Sequence, residues 1–392
     1  ESSLIAGFMS IGLDVDVAGV IPTPGVAYLT RTGDYLCGVS ISASHNPFEY
    51  NGIKFFSSEG LKLDDKVEDD IEEKVLSTTK IYKDVIGDEL GRVNRSNKFT
   101  EKYISYLKGL TDERFDGLEV AIDAGNGAQS FIAEEVLKSY GASVKIINNG
   151  PNGKNINDNC GSTNPKLIEE LVKKEKSDIG MSFDGDADRI IAVDEEGKVV
   201  DGDHILAIAA TYLKENNKLK NNAAVGTIMS NMGLKKYLET IDVDFIETKV
   251  GDRYILEKML KDDYVIGAEQ SGHVIFLDYN TTGDGLATGI HLLEIMKKTG
   301  KKLSELNGLM KDYPQVLKNA RVRDDLKNRY DEFPDVIKAI KEVEEAYHGR
   351  GRVVIRPSGT EALVRVMIEG EDINKLSQDA DKLVKIIEDK LN

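Results

Sequence analysis

Tryptophan is absent from the 392 residues and cysteine occurs twice; 51 Lys and Arg stand against 68 Asp and Glu, for a net charge of −17. Each shortage excludes something. Nucleic acid and anionic membrane are excluded as bulk partners, because clustered cations carry binding to either. A phosphorylated ligand must then be held by a few local Arg and Lys against the sign of the whole chain. Cys37 and Cys160 have no C-x-x-C or metal-ligand spacing, so they read as reduced thiols of a cytoplasmic protein. No apolar run reaches the ~18 residues of a membrane helix, and no signal-peptide pattern is visible. Gly125-Asn126-Gly127 falls short of G-x-G-x-x-G, and G-K-[ST] is missing, so neither a dinucleotide site nor a Walker loop is expected. What is present, 40% apolar and 30% charged residues, suits a globular chain. Its length calls for two to four domains, since single cores stop growing near ~250–300 residues.

Residues 1–60 read as helix, strand, the turn Pro22-Thr23-Pro24, a second helix, and the small-residue strand Cys37-Gly38-Val39-Ser40-Ile41. Glu1 has no Met before it and residues 2–11 read as the middle of a helix, so an N-terminal truncation is expected. Residues 61–88 are charged and read as mostly helical, and Thr100 suits a helix cap. A strand–glycine loop–helix–strand unit begins at Leu118 and meets a polar loop at 151–165; a third such unit covers 203–266. This recurrence at about 100-residue spacing predicts an internal α/β repeat. After residue 312 two strands lie between helices, the last with Leu376, Ala380, Leu383 and Ile387 on one face, which predicts a smaller α+β domain.

Four stretches carry chemistry. Ser42-Ala43-Ser44-His45-Asn46-Pro47 sets hydroxyls beside an imidazole in a non-helical loop, as a nucleophile at a strand end requires, although hydroxyls are also ordinary in turns. Asp184-Gly185-Asp186-Ala187-Asp188-Arg189 follows a strand; if the loop is extended, three alternate carboxylates share a side and call for a hard divalent cation. An EF-hand is the competing reading, with Glu195 at loop position 12, but Arg189 occupies position 6, where that loop needs Gly. Arg189 beside the metal can hold phosphate. Glu269, Ser271 and His273 alternate through Glu269-Gln270-Ser271-Gly272-His273, a pattern fit for sugar hydroxyls or for a plain polar turn. Arg356-Pro357-Ser358-Gly359-Thr360-Glu361 offers a guanidinium, two hydroxyls and glycine N–H groups to a phosphate, with Arg365 on the following strand.

Taken together and in this order, the four loops resemble those of the α-D-phosphohexomutases, and the resemblance covers the whole chain. It implies three similar mixed α/β domains, the first incomplete, plus a smaller C-terminal α+β domain around a central cleft. The expected boundaries are 1–95, 96–200, 201–311 and 312–392. It implies Ser44 as a phosphoserine and one Mg²⁺ per chain on Ser44, Asp184, Asp186 and Asp188. Lys54 matches the family's general acid/base, with His45 as the local alternative. Glu269, Ser271 and His273 would hold the sugar, and Arg189, Arg356, Ser358, Gly359, Thr360 and Arg365 the phosphate.

The wording Glu-Gln-Ser-Gly-His, with residues 248–254 and 277–285, is similar to the branch acting on glucosamine phosphates. That implies interconversion of the 6- and 1-phosphates through glucosamine 1,6-bisphosphate, in the service of cell-wall precursor synthesis. The glucose/mannose branch, a weakly catalytic sugar-phosphate binder and a plain phosphatase are the rivals. A homodimer is in keeping with the family. Asn164 stands where His is expected and Ala362 where Pro is usual. Ala187 stands where many members have Gly, a change tolerable where φ is negative. The family's opening strand and its Gly-Thr-Asp-Gly-Val-Arg-Gly type loop are not found in the sequence.

Overall fold

A computed structural model of the chain describes residues 1–77, 82, 85–358 and 361–392. These form two compact units: residues 1–227 with 243–309, and residues 228–242 with 310–392.

The first unit repeats one topology. In its five-stranded sheet, Glu119–Asp123 pairs in parallel with Ser143–Ile147 on one side and Ile179–Phe183 on the other. Ile179–Phe183 then turns back antiparallel into Ile190–Asp194, with Val199–Val200 at the edge. The four-stranded sheet does the same: Ala223–Thr227 lies between Asp244–Thr248 and Ile266–Ala268, both parallel to it, and Ile266–Ala268 turns back into Val274–Phe276. The spatial order second, first, third, fourth is common to both sheets. Near the start of the chain a third hairpin, Cys37–Ile41 with Ile53–Ser57, has the same antiparallel pairing.

This repetition places the chemistry. The serine loop, the aspartate loop and the Glu269–His273 loop each connect the two strands of such a hairpin. Ile179–Phe183, Ile190–Asp194 and Ala223–Thr227 are buried along their whole length, as strands covered on both faces are, and their apolar runs reflect it. Gly202–Glu215 and Gly285–Thr299 supply the buried helices, each capped by an aspartate side chain, Asp201 and Asp284.

The second unit is a three-stranded antiparallel sheet with Leu363–Glu369 between Gln315–Arg321 and Arg352–Pro357. Helices Pro334–Tyr347 and Ile373–Leu391 cover it. The stripe Leu376, Ala380, Leu383 and Ile387 is buried against the sheet, as its spacing predicts.

Local differences have local causes. Thr100 caps no helix: the helix begins at Lys98, and the Thr100 hydroxyl donates to Ala18 O at 3.1 Å. Within 61–88 the α-helix is confined to Asp65–Leu76, capped by Asp64, and residues 78–81, 83 and 84 lie outside the described residues. The helix expected after Gly127 starts as the 3-10 turn Ala128–Phe131 and becomes α only at Ala133–Ser139. Its first N–H is drawn off to Gly185 O at 2.9 Å.

Candidate active site

Ser40 and Lys54 face each other across the first hairpin, so the outgoing strand carries Lys54 back past the serine loop. Ser44 stands in the left-handed region with φ 54°, a conformation costing a non-glycine residue roughly 1–2 kcal/mol. Its hydroxyl donates to Asp184 Oδ2 at 2.7 Å and its N–H to Ser42 Oγ at 2.9 Å. The structure therefore separates the two serines: Ser44 meets the aspartates, and Ser42 supports it.

Asp184, Asp186 and Asp188 are buried, and their carboxylate oxygens lie within 4.8 Å of one another. The loop that brings them together is a tight turn rather than an extended segment. Ala187 N–H donates to Asp184 O at 3.1 Å, and Ala187 has φ 58°, so the negative φ that would make alanine an easy replacement for glycine is not what the turn uses.

Internal cations answer this concentration of charge. Lys54 Nζ lies 2.6 Å from Asp186 Oδ2 and 3.3 Å from Asp188 Oδ2. Arg189 donates its backbone N–H to Asp184 Oδ1 at 3.2 Å, and its Nε is 3.9 Å from Asp188 Oδ1. Burial, then Asp188 and Asp186, push the Asp184 carboxyl well above the ordinary carboxylate range. Burial presses Asp188 the same way, but His273, Lys54 and Arg189 outweigh it and hold Asp188 well below that range. Burial opposes the Lys54 charge, yet Asp188 and Asp186 raise it above an ordinary lysine. His45 is lowered, first by burial and then by Arg189, whose guanidinium lies 3.1 Å from Nδ1.

A hard divalent cation fits this donor set. Asp186 Oδ1 and Asp188 Oδ1 are buried without a hydrogen-bond partner, and the Lys54 ammonium already rests on the same two carboxylates as a cationic stand-in. Oxygen-only ligands of this kind suit Mg²⁺.

The third hairpin turn divides its three polar residues. Glu269 Oε1 accepts from Gly251 N–H at 3.0 Å, and Ser271 is exposed with Oγ 3.5 Å from Glu269 Oε2. His273 is only 2% exposed. Its Nε2 accepts from Gly283 N–H at 2.9 Å, and its Nδ1 lies 3.7 Å from Asp188 Oδ1. Alternation predicts one common side; the turn, closed by Glu269 N–H to His273 O, turns His273 inward instead.

Several residues escaped the motif reading. Thr23, fully buried, donates its hydroxyl to Asp186 Oδ2 at 2.7 Å and its N–H to Asp186 O at 2.9 Å. Asn157 Nδ2 donates to Ser44 O and Asn46 O at 2.9 and 3.0 Å. Asp252 lies 3.3 Å from His273 Nε2 and pairs with Lys62. Only Thr23 had a signal: two flanking prolines that fix its backbone.

In the second unit Arg356 and Arg365 are directly opposite across two strands, each with a buried Nε lacking a partner. Burial and the Arg365 charge lower the Arg356 pKa. Ser358 is buried and its Oγ accepts from Glu361 N–H at 3.3 Å, while Gly359 and Thr360 lie outside the described residues. Two guanidiniums brought together, answered only by the exposed Glu361 carboxylate 3.6 Å from Arg365, make a site for an anion.

Among the described residues no helix is long and apolar enough to cross a membrane. Sequence models of the phosphoglucomutase/phosphomannomutase family match α/β/α domain I at residues 1–81, domain II at 101–197, domain III at 201–313 and the C-terminal domain at 317–386. The whole chain aligns with the phosphoglucosamine mutase of Alkaliphilus oremlandii at 53% identity, covering 87% of that protein. It aligns with that of Caldicellulosiruptor saccharolyticus at 50%, covering 88%. Among solved structures, a phosphoglucomutase/phosphomannomutase family protein of Burkholderia thailandensis superposes with a TM-score of 0.82 at 20% identity, covering 100% of this chain and 87% of that one. Aspergillus fumigatus N-acetylphosphoglucosamine mutase, in complex with GlcNAc-6P and magnesium, gives 0.68 at 18%, covering 94% and 93%. With four domain matches in order and relatives half identical over the full chain, this protein belongs to the phosphohexomutase family.

Proposed function

We propose that this chain interconverts glucosamine 6-phosphate and glucosamine 1-phosphate through a phosphoserine and glucosamine 1,6-bisphosphate. The observation that carries the chemistry is the Ser44 hydroxyl, donated to a buried aspartate of a cation-ready triad. The amino sugar is favoured by the names of the half-identical relatives and by the wording of residues 269–273.

Phospho-Ser44 transfers its phosphoryl group to the free hydroxyl of the bound hexosamine phosphate: the Oγ–P bond breaks and a P–O bond to the sugar forms. The other phosphate of the bisphosphate then returns to Ser44. Lys54, held as an ammonium, protonates the departing Oγ and is recharged by the proton that the attacking hydroxyl releases. His45 is the weaker choice for that proton, because its Nδ1 is engaged by Arg189. Asp184, Asp186 and Asp188, with Ser44, would hold one Mg²⁺. When bound, the ion neutralises charge on the transferring phosphoryl oxygens.

Glu269 and Ser271 hold sugar hydroxyls, and His273 supports that loop from inside. Arg189 reaches the reacting phosphoryl. Arg356, Ser358, Gly359, Thr360 and Arg365 hold the phosphate that is not reacting. The four domains of this reading are 1–95, 96–200, 201–311 and 312–392. The protein works in the cytoplasm, as a homodimer in keeping with its family.

Two measurements test the reading. Intact mass spectrometry should find one phosphoryl group on Ser44, and Ser44→Ala should lose turnover by at least ~10³-fold while still binding sugar phosphate. Turnover equal to the parent's would sink the phosphoserine mechanism. A preference for glucose or mannose 1-phosphate over glucosamine 1-phosphate would move the protein to the neutral-sugar branch.

A further inference from the structure

The left-handed conformation of Ser44 is held by restraint on every polar group of the residue. Its N–H goes to Ser42 and its Oγ to Asp184, both within motifs already described. Its carbonyl accepts from the side-chain amide of Asn157. Asn157 lies in the polar loop between Ser143–Ile147 and Lys166–Glu175, a segment that neither the motifs nor the mechanism employ. Its Nδ2 also donates to Asn46 O, so both amide hydrogens are spent on the carbonyls on either side of His45.

The clamp is itself fixed. Asn157 is left-handed with φ 56°, and its N–H donates to Gly125 O at 2.9 Å. A Cβ on Gly185 would come within 2.7 Å of Ser44 O and 3.0 Å of Asn157 Nδ2, so only glycine between Asp184 and Asp186 leaves room for the contact. One aspartate turn and one asparagine, both from residues 119–200, thus hold the hydroxyl and the carbonyl of the same serine.

We propose that Asn157 is a positioning residue for phosphoryl transfer: its amide holds the Ser44 carbonyl and so keeps Oγ directed at Asp184. The proposal rests on Ser44 being the phosphoryl carrier. Asn157 touches no reacting atom, so its removal should slow transfer without weakening substrate binding.

Asn157→Gly is the clean variant, because glycine takes φ near +56° without strain and only the amide is lost. Asn157→Asp keeps the shape but sets carboxylate oxygens against two carbonyl oxygens. Steady-state turnover of glucosamine 1-phosphate with the bisphosphate present, thermal unfolding and the mass of Ser44 are measured on the full chain. The expected result for Asn157→Gly is a kcat about 10–100-fold lower with KM within about threefold. Its melting temperature should stay within about 3 °C of the parent, and Asn157→Asp should lose at least as much kcat. A kcat within twofold of the parent in both variants overturns the proposal. So does a fall of kcat with a matching rise of KM and a clear loss of melting temperature, which marks a fold-supporting residue. If Ser44→Ala turns over normally or Ser44 carries no phosphoryl group, the underlying phosphoserine reading fails, whatever Asn157→Gly shows.

Discussion

Around Asp184, Asp186 and Asp188 the polar groups are tied to distant segments, whereas Arg356 and Arg365 confront each other with unpartnered buried Nε atoms and only the exposed Glu361 carboxylate, 3.6 Å from Arg365, as a countercharge. The first region is organised before any ligand arrives. Thr23, Ser44, Lys54 and Arg189 hold the three carboxylates in place, and two carboxylate oxygens are left over for a cation. The second region keeps like charges close, and in the proposed function an incoming phosphate would relieve their repulsion. Preorganisation belongs where bonds break and re-form, because geometry there sets the barrier. Where a phosphate is only gripped, unpaired donors are more useful, since the binding energy is released as the anion docks.

The largest effect should come from breaking the organised region. Thr23→Val keeps shape and burial but removes the hydroxyl that orients Asp186 and meets Ser40. Loss of such a support typically costs 10–100-fold in metal affinity, so calorimetric Mg²⁺ affinity should fall by about that much. Parent-like affinity would show that the triad orients itself.

The arginine pair should respond differently. Arg365→Ala removes a phosphate donor and a repulsive neighbour at once. KM for the sugar phosphate should rise roughly tenfold, as expected for one charge-assisted hydrogen bond, with a smaller change in kcat. Thermal unfolding should not fall by more than about 2 °C, because Arg356 loses an adverse partner and the ion pair that goes with it, Arg365 to the exposed Glu361, is worth little. A marked drop in melting temperature would mean that the pair is stabilised by contacts other than those described.

The smallest effect concerns Ala187. Glycine would relieve roughly 1–2 kcal/mol of left-handed strain. Against that stand about 0.8 kcal/mol of buried methyl and about 0.4–1 kcal/mol of added chain entropy. The terms nearly cancel, so Ala187→Gly should melt within about 2 °C of the parent. A shift of several degrees in either direction would show which term the tight turn weights most.

Much of the site was legible because its chemistry is written in contiguous strings: Ser44-His45, the alternating aspartates, Glu269 to His273, and Arg356 to Glu361. Residue alternation was a poorer guide to which side chains share a side. It assumed extended loops, and the structure has tight hairpin turns in which Ala187 is left-handed and His273 faces inward. The supporting residues were illegible for a simpler reason. Thr23 meets Asp186 across 163 residues and Asn157 meets Ser44 across 113, and nothing local to either residue announces the contact.

Sequence alone determined the family, the repeated α/β plan and which side chains are candidates for the reacting groups, since these depend on residue type, order and hydrophobic period. Tertiary structure decided that the serine, aspartate and Glu269 loops each join the two strands of an antiparallel hairpin, the latter two at the same place in a recurring strand order. It also decided that Ser44 rather than Ser42 meets the aspartates, and that Asn157 and Thr23 secure them. Those facts depend on strand pairing and on the backbone conformation of a few turn residues, which are set only when distant segments pack against one another.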